Sequence, residues 1–265
     1  MKEEVLSIVS GIFDPAMKLN LMREYIQSRT LRSLHESEAF RSLSFVGGTA
    51  LRFLYGLPRF SEDLNFSLES GEGYKPELWM KKLKNDLFLA GFNIHLSWNA
   101  RTNVHKAWIG IEDLMKEAGL AVLSEQRLSI KLEVDTNPLR GAVLEKRIIT
   151  RYALIAIQHH DLPSLMAGKI HAMLARKYPK GRDWYDLLWY RGHRPPLEPN
   201  EVLLQKALDQ TEGEGVKHAS QWKQWILKKA GALDVMKLAA DVRPFLERQE
   251  DAALITSEGI RSVLT

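Results

Sequence analysis

Residues 45–68, FVGGTALRFLYGLPRFSEDLNFSL, decide how this chain is read. The stretch predicts a buried strand, a tight turn at Gly47-Gly48, a short helix, and a second strand that begins with acidic residues. In that second strand Leu64, Phe66 and Leu68 alternate with Asp63, Asn65 and Ser67, so one face is apolar and the other polar. Asp63 and Asn65 therefore project from the same face, just past a glycine turn whose backbone amides can approach a phosphate. Two oxygen donors beside such a turn point to a metal and nucleotide site. Asn65 is the oddity, because a second carboxylate is the stronger choice there.

Working outward, residues 1–40 carry helical patterning. Leu6, Val9, Phe13, Met17, Leu21 and Tyr25 recur at three- and four-residue intervals, interrupted near Pro15, and predict an N-terminal helical layer. Downstream, a helix is expected from Leu78 to Ala90, followed by strands at 92–98 and 107–112. LSIKLEVD, ending at Asp135, alternates cleanly, with Leu128, Ile130, Leu132 and Val134 on one face and Lys131, Glu133 and Asp135 on the other. TNPLRG ends that strand, and the apolar run YALIAI precedes His159 and His160. From Asp161 the character changes to helices. DLPSLMAGKIHAMLARKYP has Pro163 near its start and Pro179 with Gly181 at its end, and RDWYDLLWYRG follows before the linker RPPLEP. Amphipathic helices fill the remainder. The expected organisation is α+β, with N-terminal helices and a mixed-sheet core in 1–158 and a helical domain in 159–265.

Bulk properties narrow the function. The 265 residues suffice for one large domain or two modest ones, and the composition is that of an ordinary globular protein. No cysteine is present, which excludes disulfides, thiolate metal sites and cysteine nucleophiles and fits a reducing, cytoplasmic interior. No long apolar run predicts a membrane span, and MKEEVLSIVSGIFDPAMK does not read as a secretory signal. The excess of 37 Lys and Arg over 33 Asp and Glu permits a nucleic-acid partner without demanding one.

Metal-assisted transfer of a phosphoryl or nucleotidyl group needs hard oxygen ligands, and residues i and i+2 on a strand supply two of them side by side. Glu133 and Asp135 add carboxylates from a separate strand, which converge with Asp63 if the two strands are neighbours. Lys169 lies beside the apolar stripe Leu165, Met166, Ile170, Met173, either snorkelling or aimed as a cation at phosphate. Asp183 and Asp186, one turn apart, either orient Lys169 or pair with Arg182. The histidines at 159, 160, 171 and 193 lack zinc-ligand spacing, and WYDLLWY is either a base-stacking surface or core.

Taken together, GGTALRFLYGLPRFSEDLNFSL, KLEVDTNPLRGA and HHDLPSLMAGKIHAMLARKYPKGRDWYDLLWY resemble the AbiEii/AbiGii toxin family, a branch of the polymerase-β-like nucleotidyltransferases. The resemblance covers roughly residues 40 to 195. It implies a mixed-sheet nucleotidyltransferase core and transfer of a nucleotide from an NTP, with Mg²⁺, onto an acceptor such as the 3′ end of tRNA. A separately encoded antitoxin is the implied partner. By motif position Gly47 and Gly48 would line the phosphates, and Thr49 and Arg52 would join them in binding the nucleotide. Ser61 would contact the triphosphate, Asp63 would be the principal metal ligand, and Lys169 would bind phosphate in a cleft beside the sheet. Asp183 would be the supporting acid, and Glu133 or Asp135 would compensate for Asn65. The alternative is a weakened or inactive nucleotide- or RNA-binding module that kept the fold.

Overall fold

A computed structural model describes residues 1–265, and the chain divides into two compact units. A sheet unit comprises Met1–Gly56, Phe60–Pro138 and Glu145–His159, and a helical unit comprises Leu57–Arg59, Leu139–Leu144 and His160–Thr265.

The sheet has seven strands. They are β1 (Leu43–Val46), β2 (Leu64–Leu68), β3 (Asn93–Asn99), β4 (Val104–Glu112), β5 (Leu128–Asp135), β6 (Leu144–Ile149) and β7 (Ile155–His160), in the order β3-β4-β5-β2-β1-β7-β6. The sheet is mixed, because β2 with β5 and β1 with β7 run parallel while the β1–β2, β3–β4 and β4–β5 pairs are antiparallel. Alternation sorts each strand: Leu64 and Phe66 of β2 and Leu128, Ile130, Leu132 and Val134 of β5 are all buried. Phe45 stacks on Phe66 with centroids 5.4 Å apart, and burying each ring contributes about 2–3 kcal/mol. The strand β6 escapes sequence reading because LEKRII is exposed at every position but Ile149 and so shows no alternation.

Helices α1 (Lys2–Val9) and α2 (Pro15–Glu36) form the N-terminal layer. The expected apolar stripe fails at Phe13, which is 96% exposed. Pro15 does not interrupt a helix; it opens one. It occupies the first position of α2, and Asp14 accepts hydrogen bonds from the Ala16 and Met17 amides at 2.7 and 3.0 Å. The helix buries polar side chains as well as apolar ones, among them Glu24 and Gln27, both of which serve the site below. Helix α3 (Gly47–Tyr55) follows β1 directly, α4 (Pro76–Leu89) leads into β3, and the one-turn α5 (Leu114–Glu117) follows β4.

The helical unit contains α6 (Leu162–Ala175), α7 (Gly181–Arg191), α8 (Glu201–Glu212), α9 (Trp222–Ala230), α10 (Val235–Val242) and α11 (Ser257–Ser262). Asp161 caps α6 by accepting from the Ser164 amide at 2.9 Å. Trp184, Leu187 and Tyr190 of α7 are fully buried, so WYDLLWY is core and not a base-stacking surface. The stretch that begins LDVMKLAADV ends its helix at Val242, ahead of Pro244, and continues in short 3₁₀ turns. No helix is long and apolar enough to cross a membrane.

Candidate active site

The turn after β1 is set by Gly47, whose φ of +82° is left-handed backbone that side chains rarely adopt. The missing side chain also matters. A Cβ on Gly47 would stand 3.1 Å from Asn65 Nδ2 and 3.3 Å from Asn65 Cβ, so the glycine leaves the space that Asn65 occupies. No side chain caps α3, which leaves its first-turn amides, Gly48 among them, to an outside acceptor.

Two buried contacts hold the acidic segment against this turn. The Thr49 hydroxyl donates to the backbone carbonyl of Asp63, and Gln27 Nε2 donates to the carbonyls of Ser61 and Glu62, each at 3.0 Å. Thr49 and Gln27 thereby fix where Asp63 leaves the loop and enters β2. Thr49, read from the sequence as a nucleotide contact, is fully buried and acts on the backbone of Asp63. Arg52 also departs from expectation. Its side chain is 3% exposed, its Nε lies 2.6 Å from Glu24 Oε2, and its guanidinium sits 4.3 Å from the centre of the Phe60 ring. Burial between a carboxylate and a ring withdraws Arg52 from contact with a nucleotide. Glu24 also accepts from Arg151 at 3.0 Å and Tyr152 at 3.3 Å, so this pair belongs to a buried network under α3.

The strands β2 and β5 are neighbours, and their parallel register pairs Asn65 with Glu133 and Ser67 with Asp135. Glu133 is therefore the acid beside Asn65. Asp135 lies one step further along the face, and its carboxylate accepts from the Asn137 amide at 3.0 Å, closing the turn after the strand. The convergence of three acids does not form: no group of three or more acidic or histidine side chains stands close enough to hold a metal between them. Lys131 stands between two of these acids. Its Nζ lies 3.8 Å from Asp63 Oδ2 and 3.0 Å from Glu133 Oε2, and Lys106 Nζ of β4 lies 3.7 Å from Glu133 Oε1. Sequence reading put Lys131 on the polar face without giving it a role; only the strand pairing brings it to Asp63. The Asp63 side chain remains 43% exposed.

These donors fit Mg²⁺. Asp63 and Asn65 offer hard oxygen ligands, and Mg²⁺ is commonly held by one or two carboxylates with the substrate's phosphates and water completing the shell. A closed cage of three acids is not required for that mode.

In the helical unit a second set of charges is built around α6 and α7. Lys169 Nζ stands 2.8 Å from Asp183 Oδ1 and 2.8 Å from Asp186 Oδ2, so both acids orient the lysine and it does not snorkel. Arg176 pairs with the other oxygen of Asp183. Arg59, which sequence reading missed, grips Asp186 in two bonds of 2.6 and 2.7 Å, with 2% and 0% of the two side chains exposed. Burial pushes the Asp183 carboxyl up, but Lys169 and Arg176 outweigh it and hold the pKa below the ordinary value. An isolated arginine 127 residues from its partner leaves no local signal in a sequence.

Comparison with known proteins agrees with this architecture. The family model described as nucleotidyl transferase AbiEii toxin, Type IV TA system, matches residues 29–258. Among solved structures, JHP933 from Helicobacter pylori is similar at a TM-score of 0.52 and 17% identity, covering 92% of this chain and 91% of that one. A second H. pylori structure, titled as a nucleotidyltransferase by assignment, is similar at a TM-score of 0.53 and 18% identity, covering 92% and 94%. At such identities the likeness shows the fold. No curated protein sequence matches the chain.

Proposed function

This chain belongs to the AbiEii nucleotidyltransferase toxin family of type IV toxin–antitoxin systems, and from that premise we propose that it transfers a nucleotide from an NTP to an RNA acceptor, the 3′ end of tRNA. Membership implies a nucleotide substrate and an antitoxin partner. The observation that carries the reading is the joining of an uncapped α3 N-terminus at Gly47-Gly48 to Asp63 and Asn65 on one sheet face. In this proposal the amides of Gly48 and its neighbours bind phosphate oxygens, with Ser61 beside them. Asp63 and Asn65 would hold Mg²⁺, which when bound supplies charge neutralisation at the phosphates. Glu133, paired across the sheet with Asn65, takes the proton from, or positions, the acceptor hydroxyl; Asp135 is the further of the two acids. Lys131, in contact with both Asp63 and Glu133, offsets their negative charge. Within the helical unit the proposal gives Lys169 the role of a phosphate cation and Asp183 that of its orienting partner.

Incubation with labelled NTPs, Mg²⁺ and total tRNA tests the proposal. Labelled tRNA is expected with the wild type and none with Asp63→Ala. Transfer that survives Asp63→Ala overturns the site.

Asn65 and the lack of a three-acid cluster favour a second reading, a module that binds nucleotide or RNA without turnover. Calorimetry with an NTP separates the two. Binding without transfer, unchanged by Asn65→Asp, identifies the inactive module.

A further inference from the structure

The acidic pair sits on one open face of the sheet, and that face continues past β5 onto β4. Register places Lys106 opposite Glu133 and Trp108 opposite Lys131. Trp108 is the anomaly on this strand. Its neighbours Ala107 and Ile109 are fully buried, whereas the indole, the largest apolar side chain of β4, is 51% exposed on the polar face. The Lys131 ammonium lies 5.8 Å from the ring centroid, and the Lys106 side chain is 47% exposed one step along the same face. An aromatic plane open to solvent, flanked by two lysines, has the composition of a platform for single-stranded nucleic acid.

We propose that Trp108, with Lys106 and Lys131, is a stacking subsite for a nucleobase at the 3′ end of the acceptor RNA. This rests on the reading of the chain as a nucleotidyltransferase with an RNA acceptor. Sidedness favours the acceptor over the NTP. The phosphate-binding turn at Gly47 belongs to the β1 side of β2, while Glu133, Lys106 and Trp108 lie on the β5–β4 side. Neighbouring strands are about 4.8 Å apart, so Trp108 stands roughly 10 Å across the sheet from the metal-binding strand. That span suits an acceptor whose terminal hydroxyl reaches Glu133 while a base of the same strand lies on the indole. The lysines face its backbone phosphates. Single-stranded ends of RNA are recognised in this way because their unpaired bases can stack on aromatic side chains.

The test compares wild type, Trp108→Ala and Trp108→Phe in transfer to total tRNA, with circular dichroism as the check on folding. Trp108→Ala is expected to raise the apparent KM for tRNA tenfold or more, with the KM for NTP within twofold of wild type. Trp108→Phe retains a ring and is expected to restore most of the loss. A raised KM for NTP with an unchanged KM for tRNA overturns the proposal, since the indole then takes the NTP base. Equal constants for both substrates also overturn it. Wild-type protein that transfers nothing to tRNA refutes the proposed function separately. The subsite is then judged by fluorescence anisotropy with labelled tRNA: a fivefold or greater loss of affinity in Trp108→Ala upholds it, and equal affinity overturns it.

Discussion

Replacing Lys169 by methionine and Asp186 by alanine separates a functional lysine from a structural ion pair. In Lys169→Met each acid keeps a cation: Asp183 retains Arg176, and Asp186 retains both bonds from Arg59. No buried carboxylate is stranded, and the loss is about 1.5–3 kcal/mol, the scale of hydrogen bonds to charged groups. In Asp186→Ala the nearly inaccessible Arg59 guanidinium loses its bidentate carboxylate and Lys169 loses one of two partners. Removing one member of a buried pair costs about 3–5 kcal/mol. With a urea m value of about 3 kcal/mol/M, the midpoints fall by about 0.5–1 M and about 1–1.7 M. Acid titration adds a check on sign. The Asp183 pKa is depressed in the folded protein, so its contribution is fully present above the ordinary 3.8 and is lost as pH falls through the lower folded value. Without Lys169 that folded value rises toward 3.8, so the contribution present above 3.8 is smaller and its loss on acidification is complete at a higher pH. Transfer to tRNA, measured on the same samples, is expected to vanish in Lys169→Met despite its mild destabilisation. Equal midpoint shifts for the two variants refute the division of charges described here. Full transfer by Lys169→Met refutes the assignment of the lysine to phosphate.

Three further outcomes follow from the geometry. Gly47→Ala meets left-handed backbone and the Asn65 side chain at once, and is expected to cost about 1–2 kcal/mol in urea unfolding and to impair NTP binding by calorimetry. Gly181→Ala would put a Cβ 2.0 Å from the Leu238 carbonyl oxygen, forcing α7 away from α10; a loss of about 3 kcal/mol is expected by the same assay. Burial holds the His171 imidazole below its ordinary pKa of 6.5, so the unfolded chain binds the extra proton first and stability falls as pH drops below 6.5. Urea midpoints of His171→Gln between pH 5 and 7 are expected to lose that slope.

What could be read in the sequence was what depends on local periodicity. Alternation in LNFSL and LSIKLEVD located β2 and β5 and sorted their faces, and proline and glycine punctuation marked α6 and α7. The α+β class followed. Pairing is a tertiary property, so the choice of Glu133 as the acid beside Asn65, and the intrusion of Lys131, needed the parallel register. The same holds for Arg52, whose place in a nucleotide motif gave no sign of Glu24 waiting 28 residues upstream in a buried helix. Phe13 misled for the opposite reason: its spacing fitted a stripe that Asp14 and Pro15 break by starting a new helix.

The identity of residue 65 has a consequence for charge that the sequence alone did not reveal. Asp63, Glu133, Lys131 and Lys106 form one contact chain of two anions and two cations, with the neutral Asn65 opposite Glu133. An aspartate at 65 would place a third anion directly opposite Glu133, where like charges on neighbouring strands repel. Lys131 and Lys106 already balance the two carboxylates, so the charge of a third would go unmatched. The neutral amide therefore relieves the unliganded sheet of a charge that only a bound cation would balance. It does so at the expense of electrostatic stabilisation when phosphate and metal are present. Stability without metal and stabilisation of a triphosphate thus pull residue 65 in opposite directions, and Lys131 is the side chain through which the two demands are coupled.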